Sequence, residues 1–227
     1  VRVLGRRAAL RVAAAGIASI VLPRRQTATR IMVFQGDSIT AAGRDPAARQ
    51  PNDGASLGAG YPFLIAAHVL RLSAPRAWRF FNRARDGAKV PDLAADWADT
   101  LSLEPDVLSV LIGVNDYWHR RRGYTGTLTD YEKGFTDLLR TARRALPTAR
   151  LVVLEPFVLR CGAVDASWFP DFDERRAAAA RVAQRAGATF VPLQSAFTAG
   201  AARTGPAHWA ADGVHPTPAG HALIAER

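Results

Sequence analysis

The sequence predicts an α/β fold in which a parallel sheet is covered by helices on both faces. Two observations carry this. From residue 30 onward, short apolar runs of strand length recur, and each is followed by a stretch whose apolar positions repeat at helical spacing. The chemically distinctive residues fall just after those runs. Alternating strands and helices need right-handed crossovers, which bring every strand's C-terminal end to one rim, and that rim is where open parallel sheets hold ligands.

Five runs are read as strands: Ile31–Gln35, Arg79–Asn82 with Trp78 as a possible extension, Val107–Ile112, Leu151–Glu155 and Thr189–Leu193. Helical patterns lie between them at Tyr61–Leu72, Val90–Leu103, Asp130–Leu146 and Phe172–Ala186. A last helix begins near Thr217, meets the end of the sequence at Arg227, and is expected to continue in a longer parent chain. Residues 30–227 are therefore read as one domain, a length that suits one core.

Residues 1–29 are set apart from it. The first 30 residues hold Arg2, Arg6, Arg7, Arg11, Arg24, Arg25 and Arg30 and no acid or lysine. The apolar run Val12–Leu22 is too short to span a membrane and fits the basic and apolar regions of an export signal. The pair Arg6-Arg7 suggests the twin-arginine type, although no clean small-x-small cleavage site precedes Arg30. Export to the periplasm or medium is the expectation; a weakly structured leader on a cytoplasmic protein is the alternative.

Charge excludes one class of function. The net charge is +10, but seven of those ten surplus charges lie in residues 1–30. The rest is near balance, so nucleic acid is not an expected partner. Arg140, Arg143 and Arg144 read as a solvated helix face, and so do Arg175, Arg176, Arg181 and Arg185. Cys161 is the single cysteine, which rules out a disulfide within the chain and a thiolate cluster. His68, His119, His208 and His221 show no metal-ligand spacing, so no metal and no cofactor are expected.

The chemistry comes from four short motifs. Gly36-Asp37-Ser38 follows the first strand, where a serine would be exposed at the rim. A serine hydroxyl is a weak nucleophile that needs a base. Asp212-Gly213-Val214-His215-Pro216 offers one: His215 to take the proton, and Asp212 three residues earlier to fix its tautomer. Gly113-Val114-Asn115-Asp116 follows the most hydrophobic strand, and Asn115 can turn its amide toward the rim. Gly87, after the second strand, can offer an N–H that no side chain obstructs. With the Ser38 N–H these make three donors for an oxyanion. Each motif alone also reads as an ordinary turn or helix cap; their order and their common side of the sheet make the set specific.

With these four pieces the chain resembles the SGNH hydrolase family from about Arg30 to its end. GDS at 36–38, GVND at 113–116 and DGVHP at 212–216 match the family's first, third and last blocks. The second block departs from the pattern: Asn82 to Gly87 reads NRARDG and keeps only its ends, and Asp86 and Lys89 add charges beside the site. The longer phrases GDSITAAGRD, LGAGYPFLIAA, PDVLSVLIGVNDYW and DGVHPTPAGH resemble the bacterial branch of acetylxylan esterases and carbohydrate deacetylases, with Ala41 standing where that branch has an aspartate. The resemblance implies a three-layer α/β/α sandwich with strand order 2-1-3-4-5, no metal, and hydrolysis of acyl esters through Ser38, His215 and Asp212.

Substrate contacts are expected from Asp37, Tyr61, Trp118 and Trp209, the tryptophans as aromatic faces for a sugar ring; capping of the core edge is the alternative for both. A lipolytic esterase or lysophospholipase on the same residues is the rival reading, and a non-catalytic sugar-binding protein of the same fold is another. The expected partner is an acylated small molecule or polysaccharide, without stable membrane insertion, and a homo-oligomer is compatible with the sequence.

Overall fold

The structure, a computed structural model, describes residues 29–227. The expectation of an export leader over residues 1–29 falls, but for Thr29, outside them. Five parallel strands form one sheet in the order β2-β1-β3-β4-β5: β1 Arg30–Gly36, β2 Trp78–Asn82, β3 Val107–Leu111, β4 Arg150–Leu154 and β5 Thr189–Val191. This is the predicted order. The helices are α1 Ser38–Ala41, α2 Gly54–Leu57, α3 Tyr61–Leu72, α4 Val90–Ala95, α5 Trp97–Leu101, α6 Val114–Trp118, α7 Leu128–Ala145, α8 Asp171–Arg185, α9 Gln194–Thr204 and α10 Pro218–Ala225.

Side chains alternate across a strand, so each strand feeds two cores. Val33 of β1 packs with Leu108, Val110, Val153, Trp97, Phe135, Leu139 and Val182, beneath α4, α5, α7 and α8. Its neighbour Phe34 packs the other way, with Tyr61, Phe80, Phe157, Phe197 and Ile224, beneath α3, α9 and α10. Both faces are covered, which explains why β3 reads as a continuous apolar run rather than an alternating one.

Three local differences from the sequence reading have physical causes. The helix expected over Val90–Leu103 is two short helices, because Asp96 leaves helical geometry at φ −102°, ψ 7°. Strand β5 stops at Val191, since Pro192 has no N–H to give a neighbouring strand. Helix α9 lies where no helix was predicted; its buried face is only Ala196, Phe197 and Gly200, too thin a stripe to stand out in the sequence. The arginines of α8 also divide. Arg175 is only 1% exposed, not solvated, because it follows Phe172 by one turn on the face that carries Ala178, Ala179 and Val182 inward. No helix among the described residues is long and apolar enough to cross a membrane.

Candidate active site

The β1 strand ends at a glycine for steric reasons: a Cβ on Gly36 would lie 2.3 Å from the Leu111 carbonyl oxygen of β3 and 2.5 Å from Thr40 Oγ1. The chain can then turn directly into α1. Asp37 caps that turn, its Oδ1 accepting the Ile39 N–H at 3.0 Å, and Ser38 stands half-exposed as its first residue. Asp37 itself is buried, and its other oxygen has no partner. Burial first, then the charges of Asp116 and Asp86, push its carboxyl up to about 7 against the bond from Ile39.

Across the rim, the loop before α10 brings His215 to the serine. Ser38 Oγ and His215 Nε2 are 2.9 Å apart although 177 positions separate them. His215 Nδ1 lies 2.6 Å from Asp212 Oδ2, while Asp212 Oδ1 accepts the backbone N–H groups of Val214 at 2.9 Å and His215 at 2.7 Å. Partial burial works against ionisation of Asp212, but these three hydrogen bonds outweigh it and hold the carboxyl below its ordinary range. Its anion favours Nδ1–H, leaving Nε2 free to accept from the serine hydroxyl.

The loop is braced by the segment after β4. Leu159 N–H donates to Gly213 O at 2.8 Å and Ala163 N–H to Asp212 O at 2.9 Å. Gly213 sits at φ 84°, and a Cβ there would lie 2.5 Å from the carbonyl oxygens of Leu159 and Cys161, so only glycine fits.

Gly87 and Asn115 meet at the second wall. Gly87 turns at φ 70° and faces His119, whose Cε1 would be 3.6 Å from an added Cβ. Asn115, 4% exposed, donates from Nδ2 to the Ala88 carbonyl at 3.2 Å, which leaves one N–H of that amide for another acceptor. Next to it Asp116 accepts the Val90 N–H at 3.1 and 3.3 Å, so α6 holds the loop that carries Gly87 at two points. Burial raises the Asp116 carboxyl to about 6, against the Val90 bond and the nearby Arg175 charge. Asn82 braces the same loop from beneath, donating to Thr40 O and Leu57 O and accepting from the Ala84 N–H. The sequence reading used Asn82 and Asp116 only as parts of motifs; their places, at the end of β2 and beside Asn115, were the available signal.

The residues expected to touch substrate separate into two groups. Trp118 lies at the site, its ring centroid 5.9 Å from that of His215. Asp37 and Tyr61 do not face outward. Tyr61 is fully buried, bonds Thr40 Oγ1 through its hydroxyl at 2.9 Å and packs on Phe34 and His221, so it is a core residue. Trp209 packs edge-on to Phe197 and against Gly200, with its Nε1–H given to Thr204 Oγ1 at 2.9 Å, an arrangement that caps the core edge. His221 is buried, accepts the Tyr61 N–H at Nδ1, and is pushed down to about 4 by burial and then the His215 charge. Among the described residues, no three His, Cys, Asp or Glu side chains gather into a metal-binding group.

A hydroxyl bonded to an imidazole, itself bonded to a carboxylate, is an arrangement that can deliver an oxygen nucleophile, and the neighbouring amide N–H groups can receive negative charge. Comparisons with known proteins agree with such chemistry. The model of the GDSL-like Lipase/Acylhydrolase family matches residues 34–223. An acetylxylan esterase of Geobacillus stearothermophilus is 29% identical over 203 residues, covering 86% of this chain and 90% of its own. Among solved structures, a GDSL-like lipase candidate from Parabacteroides merdae superposes with a TM-score of 0.83 at 41% identity, over 87% of this chain and 92% of the other. The acetylxylan esterase Axe2 of Geobacillus stearothermophilus superposes with a TM-score of 0.75 at 28% identity, over 87% and 91%.

Proposed function

We propose, on the premise that this chain belongs to the GDSL-like lipase/acylhydrolase family and is a carboxylic ester hydrolase, that it removes short acyl groups, acetyl above all, from carbohydrate hydroxyls through Ser38, His215 and Asp212. The observation that carries this reading is the 2.9 Å contact between Ser38 Oγ and His215 Nε2.

In the first half-reaction His215 Nε2 takes the proton of Ser38 as Oγ bonds to the ester carbonyl carbon. The carbonyl oxygen becomes an oxyanion, held by the N–H groups of Ser38 and Gly87 and the free amide N–H of Asn115. Collapse breaks the ester C–O bond, and the departing sugar oxygen receives the proton from Nε2. Water then repeats the attack on acyl-Ser38, His215 again serving as base, and acetate leaves. Throughout, Asp212 stabilises the imidazolium that forms.

The reading has three supports. Trp118 offers an aromatic face beside His215. The His215 and Asp212 side chains are 45% and 40% exposed, an openness suited to an ester carried on a polymer. In Axe2, an acetylxylan esterase, replacement of a serine and of a histidine by alanine each gave a catalytic mutant. A polysaccharide substrate would also give the basic, apolar leader of residues 1–29 a purpose as an export signal, which fractionation of expressing cells tests.

Ser38→Ala is expected to abolish hydrolysis of p-nitrophenyl acetate while leaving the circular dichroism spectrum unchanged; retained turnover would defeat the assignment. A chain-length series on nitrophenyl esters, run beside acetate release from acetylated xylan, tests the substrate. An optimum at acetyl supports the deacetylase, whereas an optimum at octanoyl would move the reading to a lipolytic esterase.

A further inference from the structure

We propose that the cavity beneath the β2–α4 loop is an anion site, separate from the hydrolytic centre, in which Arg44, Arg49 and Arg83 bind a small oxyanion of the phosphate class. The cavity is about 490 Å³. Its floor includes the buried Gln35, and its wall is the loop that runs from Arg83 toward Gly87.

The three guanidinium groups come from two segments, the α1–α2 connection and the end of β2. Arg44 is fixed: its Nε donates to Ser56 O at 3.3 Å and its Nη1 to Ala84 O at 3.0 Å, which leaves Nη2 uncommitted. Arg83 lies over the Phe81 ring at 5.5 Å, which holds its plane. Among the described residues none of the three is ion-paired, whereas Arg85 in the same cavity meets Asp96 at 3.3 Å. Asp99 also lines the cavity and attracts Arg83, but without closing an ion pair.

Gathering like charges in a partly dry space is unfavourable unless something answers them. Burial, and after it the charges of Arg83 and Arg49, depress the pKa of Arg44; burial and then Arg49 depress that of Arg83. A bound anion would relieve both. Guanidinium groups bind oxyanions through paired N–H donors, and a tetrahedral dianion supplies enough oxygens and enough charge for three of them at once. The hydrolytic reading stands or falls without this site.

The test is calorimetric titration of the full chain with inorganic phosphate at constant ionic strength, with thermal melting and p-nitrophenyl acetate turnover followed in the same samples. Saturable binding is expected, with a rise in melting temperature that saturates with it. Arg49→Gln and Arg83→Gln should each weaken binding at least tenfold while leaving basal turnover and the unliganded melting temperature near those of the parent. Absence of saturable heat, or heat that both variants retain, overturns the proposal. Glucuronate, titrated in parallel, separates a phosphate from a sugar carboxylate: binding of glucuronate alone would overturn the phosphate assignment.

Discussion

Asn115 shows how much one amide can be asked to do. One of its N–H bonds is given to Ala88 O, and in the proposed mechanism the other is a donor to the oxyanion, so its removal would take that donor away. Asn115→Ala should lower kcat by about 10²–10³-fold with little change in KM, as steady-state kinetics on a nitrophenyl ester would show. Trp118→Ala should raise KM for acetylated xylo-oligosaccharides while sparing p-nitrophenyl acetate, which has no sugar ring to stack; equal effects on both would count against a platform role. At this scale the sequence was legible where chemistry restricts residue choice. Ser38 and Asn115 were recognisable just after a strand, and Asp212 and His215 as a carboxylate–imidazole pair on the loop before the last helix. It was illegible where only direction decides. Nothing in the residue types tells that Trp118 turns toward His215 while Trp209 turns onto Phe197. Tyr61 opens a helix near the rim, yet its ring points into the core.

The elements were read from periodicity, and periodicity explains both what was found and what was missed. Strong stripes, such as Tyr131, Phe135, Leu138, Leu139 and Ala142 along α7, leave little choice of structure. The break at Asp96 was invisible because apolar spacing continues through it from Leu93 to Trp97. Helix α7 also has a capping box: Thr127 Oγ1 accepts the Asp130 N–H, and Asp130 Oδ2 accepts the Thr127 N–H. Thr127→Ala should cost about 1 kcal/mol in urea unfolding and leave turnover unaffected, since Thr127 caps the end of α7 and the hydrogen bond that α7 gives the site side, Tyr131 OH to Ile112 O, lies one turn further on. Glu155, at the end of β4, is a tighter joint. It accepts from Arg176 and from the N–H groups of Leu193 and Gln194, tying β4 to the start of α9. Glu155→Ala leaves the Leu193 and Gln194 N–H groups without an acceptor and Arg176 with Asp173 alone, and should cost about 3 kcal/mol, measurable by the same unfolding experiment.

For the molecule as a whole, the dependence of stability on pH follows from four groups that burial perturbs. Asp37 is raised to about 7 and Asp116 to about 6 from an ordinary 3.8. Between about pH 4 and 6, each therefore holds a proton that the unfolded chain has released, so stability falls as pH rises. His221 is lowered to about 4 from 6.5, and His119 is lowered as well, mainly by burial. Over the same window the His221 imidazole lacks a proton that the unfolded chain keeps, so its contribution rises with pH, and the lowered His119 acts in the same direction. The carboxyls and the imidazoles oppose one another. Two carboxyls with large shifts outweigh the one imidazole with a large shift, so the melting temperature should decline shallowly as pH rises from about 4.5 toward 7. Asp37→Asn keeps the acceptor for the Ile39 N–H but removes one titration. The slope should then become less negative, by up to about 1.4 kcal/mol per pH unit. Calorimetric melts of both proteins across this range would check the sign, and a steep rise in the parent protein would contradict it. The sheet order and the two-faced core were legible because crossover handedness and alternation leave few arrangements. The buried titrations were not, because they depend on depth.

Finally, the bracing of residues 212–213 by Leu159–Ala163 bears on transplantation. A designer who grafts the pentapeptide DGVHP of residues 212–216 onto another scaffold would carry the imidazole but not the scaffolding that aims it. The portable unit includes the strand-four exit as well, and moving the loop alone would yield a histidine with no fixed address.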